Sequence, residues 1–87
     1  MSEGTLLEFP CDFPIKIMGR MADGFADTMV EVVLRHAPDF DPVTVSMRTS
    51  SNNKYLSLTC TINAVSKQQL DDLYREISAH PLVVMAL

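Results

Sequence analysis

Two histidines, two cysteines, a group of helical carboxylates and an Asp-Gly turn are the residues here whose chemistry could exceed packing. A catalytic nucleophile needs a base within hydrogen-bond reach, and a bound metal needs several ligands at short spacing. Neither His36 nor His80 has a cysteine or histidine partner at such a spacing. Cys11 and Cys60 stand 49 positions apart, which gives neither a disulfide framework nor a zinc cluster. Both read as free thiols of a reducing cytoplasm, with Cys60 a small core hydrophobe. Asp71, Asp72 and Glu76 read as a solvated helix face, because nothing around them suggests a pocket that would desolvate a carboxyl. Dinucleotide and Walker glycine motifs and a Ser-His-Asp order are all missing. The sequence therefore assigns no catalytic residue, no metal ligand and no cofactor, and reads as a non-enzyme.

Binding is a different matter. Asp23-Gly24 stands at a helix start, where backbone amides can receive a carboxylate. A plain N-cap by Asp23 accounts for the same pattern. His36 closes the apolar stripe of the first helix, where its cation suits the helix dipole, and Arg35 lies beside it. Lys16, Gly19 and Arg20 lie on or just after the first strand. Tyr55 opens the third. These seven residues, Lys16, Gly19, Arg20, Asp23, Arg35, His36 and Tyr55, are the candidate binding set.

Charge narrows the ligand. The 87 residues carry a net charge of −4, so polyphosphate backbones and anionic membrane surfaces are repelled rather than gathered. An RNA-reading sheet also needs stacking aromatics on its central strands, and only Tyr55 qualifies. Neither nucleic acid nor membrane is an expected partner. No apolar run approaches a membrane span, and Met1-Ser2-Glu3-Gly4 shows no signal peptide, so the cytoplasm is the expected compartment.

The elements that must position these groups follow from hydrophobic rhythm. The chain length suits one domain. Residues 1–12 read as an entry arm, mobile at its tip, with Leu7 and Phe9 docking on the domain edge and Pro10 and Pro14 excluding helix. The domain proper is expected over 13–87. Phe13, Ile15 and Ile17 alternate through a first strand ending at Arg20. Phe25, Met29, Val32, Val33 and His36 recur at helical spacing from Gly24 to Ala37, and Glu31 and Arg35 make a surface pair. Pro38 stops that helix. A second strand is expected from Val43 to Thr49, with Val43, Val45 and Met47 inward.

Ser50 to Asn53 reads as a hairpin turn, since Asn tolerates positive φ. The third strand, Lys54 to Ala64, alternates most cleanly, with Leu56, Leu58, Cys60, Ile62 and Ala64 inward. Ser66 and Gln69 form a capping box for a second helix that buries Leu70, Leu73, Tyr74 and Ile77. Leu82 to Leu87 is a last strand, apolar on both faces.

The order is β-α-β-β-α-β. Single apolar stripes on both helices and a polar side to the strands place both helices on one face of an antiparallel sheet. The fold class is α+β, a ferredoxin-like sandwich with strand order 4-1-3-2. Its free face would carry Lys16, Met18, Thr44, Ser46, Arg48, Tyr55, Ser57, Thr59 and Thr61.

The run Val30-Glu31-Val32-Val33-Leu34-Arg35-His36-Ala37-Pro38 resembles the helix signature of the YbeD-like family of small bacterial proteins. Leu6-Leu7-Glu8-Phe9-Pro10 and Lys16-Ile17-Met18-Gly19 resemble its opening. Ser50-Ser51, Tyr55-Leu56-Ser57 and Thr61-Ile62-Asn63-Ala64 resemble its hairpin and third strand, and Leu73-Tyr74 and Val83 to Leu87 its end. The resemblance runs from Leu6 to Leu87 and implies an ACT-like ferredoxin fold in a family without a settled activity. ACT domains bind amino acids at subunit interfaces. Asn52-Asn53 replaces the Lys-Gly usual in the hairpin, and Arg20 to Gly24 lacks the Asp-x-Pro-Gly type of turn.

Together these features predict a small cytoplasmic regulatory or protein-interaction module. It would self-associate as a dimer or dock a protein through an edge strand or the sheet face. The alternative is an ACT-like sensor with a small-molecule effector, an amino acid or small carboxylate, near Gly19 and Asp23.

Overall fold

Strand pairing in the computed structural model, which describes residues 8–87, centres on β1 (Cys11–Arg20). It lies antiparallel to β3 (Tyr55–Ala64) over its whole length, from Cys11 opposite Ala64 to Arg20 opposite Tyr55. The short β2 (Ser46–Thr49) flanks β3, and β4 (Val83–Ala86) flanks β1. The order β2-β3-β1-β4 is the predicted ferredoxin-like arrangement. The outcome follows from chain pattern: the two ten-residue strands alternate most regularly and take the centre, while the four-residue strands take the edges.

Helices α1 (Phe25–His36) and α2 (Lys67–Ala79) cover one face. Phe25, Met29, Val32 and Val33 from α1 meet Leu70, Leu73 and Ile77 from α2. Beneath them lie Ile15 and Ile17 of β1 and Leu56, Leu58, Cys60, Ile62 and Ala64 of β3. Each fully buried aliphatic or aromatic side chain contributes roughly 1.5–3 kcal/mol, so this one layer carries the fold. Phe40 plugs the far end from the loop after α1, where its amide bonds the Ala37 carbonyl at 2.9 Å. Phe9 is half-buried against the same core, whereas Leu7 and the tip of the predicted arm lie outside the described residues.

Four local expectations need correction. β1 takes in Cys11 and Asp12, which the sequence placed in the arm. Gly24, not Asp23, is the N-cap of α1: it sits at φ 80°, a conformation that favours glycine, and no side chain caps the helix. Arg35 does not pair with Glu31 but reaches across to Glu76 on α2. Finally, β2 starts at Ser46 rather than Val43. Pro42 opens a 3₁₀ turn, Pro42–Thr44, which the Asp41 carboxylate caps by accepting the Val43 N–H at 3.1 Å. Val43 is thereby turned outward at 89% exposure, and Met47 lies beyond the helices at 56%, leaving only Val45 packed on the core.

Three expectations hold, the capping box in its Ser66 half, since the Gln69 side chain takes the Val65 N–H instead of that of Ser66. Asn53 occupies φ 59° in the hairpin. The Ser66 hydroxyl accepts the Gln69 N–H at 3.1 Å, and the β3 alternation is complete.

Candidate functional site

The antiparallel register assigns side chains of the uncovered sheet face to rows that run across the strands. Residues paired directly point to the same side, with alternate residues opposite. One row is Arg48, Ser57, Met18 and Met85, one residue from each of the four strands. A second is Ser46, Thr59, Lys16 and Leu87, the last joined to Lys16 by mutual backbone bonds of 3.0 and 2.8 Å. Tyr55 and Arg20 form a third, shorter row at the hairpin end. The face thus mixes three cations with an apolar strip at β4, where Met85 is 46% and Leu87 65% exposed. Its one acid among the described residues, Asp12, lies at the other end of β1, opposite Asn63.

At the hairpin end the rows enclose a shallow pocket of about 180 Å³, lined by Met18, Arg48, Thr49, Ser50, Tyr55 and Ser57. Ser50 is committed to the turn. Its hydroxyl donates to Asn52 Oδ1 at 2.8 Å and accepts the Lys54 and Tyr55 N–H groups, both at 3.1 Å. That network holds the rim in place. Arg48 forms no ion pair, and the Tyr55 and Ser57 hydroxyls no hydrogen bond, among the described residues.

The second polar cluster lies on the opposite layer, between the ends of the helices. Glu76 accepts from His36 Nε2 at 2.7 Å and pairs with the Arg35 guanidinium. The His36 hydrogen bond, aided by Arg35, holds the Glu76 carboxyl below the ordinary carboxylate range against a smaller opposing effect of desolvation. Gln69 completes the junction: its Nε2 donates to the His36 carbonyl at 2.9 Å and its Oε1 accepts the Val65 N–H at 2.7 Å. Every partner here is satisfied by another, as in a structural clasp between helices. At the other end of α1, His80 caps the end of α2. Its Nδ1 accepts the Leu82 N–H at 3.1 Å, and its ring meets Phe25 edge-on at 6.1 Å.

The candidate set is therefore divided between two faces. Lys16, Arg20 and Tyr55 share the open sheet face. Arg35 and His36 belong to the helix clasp. Asp23 is exposed in the turn before α1. Gly19 is buried against the helix layer: a Cβ there would meet Phe25 Cζ at 2.3 Å. It is a packing position, not an open cradle. Arg48, Met18 and Ser57 were placed on the free face by alternation, but their convergence into a pocket follows from cross-strand register, which alternation alone does not specify. Glu76, read as solvated, has its partners on α1, and only the docking of the helices brings them together.

Among the described residues, no group of three or more His, Cys, Asp or Glu side chains is placed to hold a metal. No helix is long and apolar enough to cross a membrane.

A family model described as a protein of unknown function (DUF493) matches residues 4–87. The UPF0250 protein NE1487 of Nitrosomonas europaea is 53% identical over 87 residues, covering 100% of both chains. A UPF0250 protein of Bordetella pertussis is 51% identical over 85 residues, covering 98% of this chain and 93% of the relative. Among solved structures, protein HP0495 from H. pylori superposes with a TM-score of 0.78 at 18% identity, over 99% of this chain and 90% of that one. The ACT domain from the GTP pyrophosphokinase of Chlorobium tepidum superposes with a TM-score of 0.60 at 18% identity, over 88% and 97%. These two likenesses establish the ferredoxin-like, ACT-like fold.

Proposed function

This chain belongs to the DUF493 family of proteins of unknown function, and from that premise we propose that it is a small non-catalytic interaction module whose open sheet face docks an acidic protein partner. The observation that carries this reading is the contrast between the two faces. The helices carry three cations, and each is paired: Arg35 with Glu76, Lys67 with Asp71, Arg75 with Asp72. The sheet face carries Lys16, Arg20 and Arg48 beside exposed Met85 and Leu87. An apolar strip bordered by cations, on a protein of net charge −4, is complementary to an acidic surface with an apolar centre. A second copy of this chain is a poorer occupant. Its acidic helix layer on this sheet face would make a heterologous contact, which leaves both end faces open and does not close on two subunits.

A small-molecule sensor is the second reading, favoured by the fold shared with the ACT domain of the pyrophosphokinase. Of the two residues near which its effector was expected, Gly19 is buried under Phe25 and Asp23 is exposed.

Affinity capture from native extract tests the proposal with three baits of equal melting temperature. Wild type and a helix-face variant, Asp27→Lys, should retain the same partner. A sheet-face variant, Met85→Glu with Lys16→Glu, should lose it. Retention by the sheet-face variant, or equal loss by both variants, would refute docking through the sheet. Sedimentation across concentration checks the occupant. A species that grows with concentration in wild type but not in the sheet-face variant would assign the face to self-association instead.

A further inference from the structure

We infer that the pocket at the hairpin end of the sheet receives one aliphatic side chain, a leucine or methionine, from an extended acidic segment of a protein partner. The inference deepens the docking reading and rests on it for the source of the ligand. Register explains why a hollow forms here. Ser57 is a small residue set in its row between two long ones, Arg48 on β2 and Met18 on β1, and Tyr55 stands two residues along β3 on the same face. A short side chain ringed by long ones leaves a dimple over the strand. The surface lining that dimple is almost wholly apolar, so what these residues present to it is chiefly carbon. Arg48 is exposed on the edge strand, and such a side chain covers apolar surface with its stem while its head stays in water. A polar group entering the hollow would give up water without gaining a partner, whereas an aliphatic one gains by leaving water.

Size and continuity point to a side chain rather than a free cofactor. About 180 Å³ is well short of a cofactor or drug-sized site. Across Met18 in the same row lies Met85, 46% exposed, so the hollow continues the apolar strip at β4. Methionine side chains adapt to what packs on them, which suits a docking surface. The Arg48–Ser57–Met18 row is fixed by strand register, and the Ser50–Asn52–Lys54–Tyr55 hydrogen bonds hold the rim. Little ordering is then left for binding to supply.

Charge selects the segment that carries the anchor. Arg20 and Lys16 lie in the rows on either side of the Ser57 row, opposite Tyr55 and Thr59, and Arg48 lies within it. None of the three enters an ion pair among the described residues. On a protein of net charge −4 they make this hollow a locally cationic place, complementary to an apolar residue with acids before and after it. The strand β2 that supplies Arg48 and Thr49 is an edge of the sheet, so an extended segment can run beside it while one side chain turns into the hollow.

The test is a heteronuclear NMR titration of the full chain at matched ionic strength with four probes. They are an acetylated and amidated peptide Gly-Glu-Glu-Leu-Glu-Glu-Gly, its counterpart with alanine in place of leucine, its counterpart with glutamine in place of every glutamate, and free 4-methylpentanoate, which carries the leucine side chain on a small acid. The leucine peptide should shift the amides of Met18, Arg48, Tyr55 and Ser57 with a Kd at or below about 1 mM. The alanine peptide should bind about tenfold more weakly or less, as expected for losing a buried aliphatic side chain. The glutamine peptide should also bind more weakly, and the difference should shrink with added salt. Ser57→Leu fills the hollow and leaves every charge in place, and it should weaken the leucine peptide about tenfold or more. Arg35→Gln, on the other layer, should leave binding unchanged. An alanine peptide as tight as the leucine peptide would overturn the aliphatic anchor, and a glutamine peptide as tight would overturn the acidic segment. Binding of 4-methylpentanoate as tightly as the leucine peptide would move the site to free acids and overturn the peptide source. No shift, or shifts that survive Ser57→Leu, would overturn the site itself. None of these outcomes touches the capture result, which reads Met85 and Lys16, so the pocket and the docking face fail separately.

Discussion

Replacing Gly19 by alanine should be markedly more damaging than the same change at Gly24. A Cβ at Gly19 would lie 2.3 Å from Phe25 Cζ and 2.8 Å from the Leu82 carbonyl oxygen, against an ordinary contact of 3.4 Å or more. The Phe25 ring must then retreat by 3.4 − 2.3, or 1.1 Å. It has no room to do so, because it is fully buried and edge-on to His80. The carbonyl cannot give either, since it is backbone and accepts the Arg20 N–H at 2.9 Å. Overpacking of a dense core costs about 1–3 kcal/mol, and an obstacle made partly of backbone places this case at about 2–3 kcal/mol. For a domain of this size that lowers the Tm by about 10–20 °C.

Gly24→Ala is the control. Gly24 also differs from alanine, but only through φ 80°, with nothing within 4 Å of the added carbon. Its cost should be about 1 kcal/mol. Thermal and urea unfolding followed by circular dichroism measure both. A second variant isolates the mechanism: in the Gly19→Ala, Phe25→Leu pair the smaller side chain should recover part of the loss, so the double change costs less than the sum. A Gly19→Ala protein that melts within about 2 °C of wild type, or above Gly24→Ala, would refute the packing argument.

Three further outcomes are expected. Ser66→Ala removes the acceptor of the Gln69 N–H and should cost about 1 kcal/mol in urea unfolding, with the m-value unchanged. Glu76 has its carboxyl lowered in the folded state, so its contribution to stability is present above pH 4.5, the ordinary value, and is lost as pH falls through the lower folded value. Glu76→Gln should therefore flatten the acid limb of a stability-against-pH curve, and an unchanged limb would count against the clasp. Burial pushes the Cys60 thiol up to about 11, so iodoacetamide at neutral pH should label Cys60 only after urea unfolds the chain, as mass spectrometry of the labelled peptides would show.

Much of the architecture was legible because its determinants are local. Leu56 to Ala64 alternates without interruption, and the α1 stripe from Phe25 to Val33 keeps helical spacing, so both elements and their buried faces follow from period alone. Ser66, Gln69 and Asn53 announce a helix start and a turn by chemistry contained in a few residues.

The misses share a different cause. Val43 looked like a strand residue by alternation, but Pro42 and the Asp41 carboxylate imposed a 3₁₀ turn that overrode it. Arg35 had a suitable partner one helical turn away in Glu31 and took Glu76 instead, because helix packing placed that carboxylate against both Arg35 and His36. Gly19 carries no sequence sign of its contact with Phe25 and Leu82, which three separate elements create. Of the candidate site, the face was readable and the pocket was not. Arg48 and Tyr55 belong to different strands, and their meeting is a property of register.

The side-chain amide of Gln69 has a bearing on how the molecule breathes. Its oxygen serves the approach to one helix and its nitrogen serves the exit of the other, 33 residues earlier in the chain. Fraying at either terminus strips a partner from the other. The two rods should therefore loosen at this corner as one unit, with hydrogen-exchange protection rising and falling together at sites that are remote in sequence.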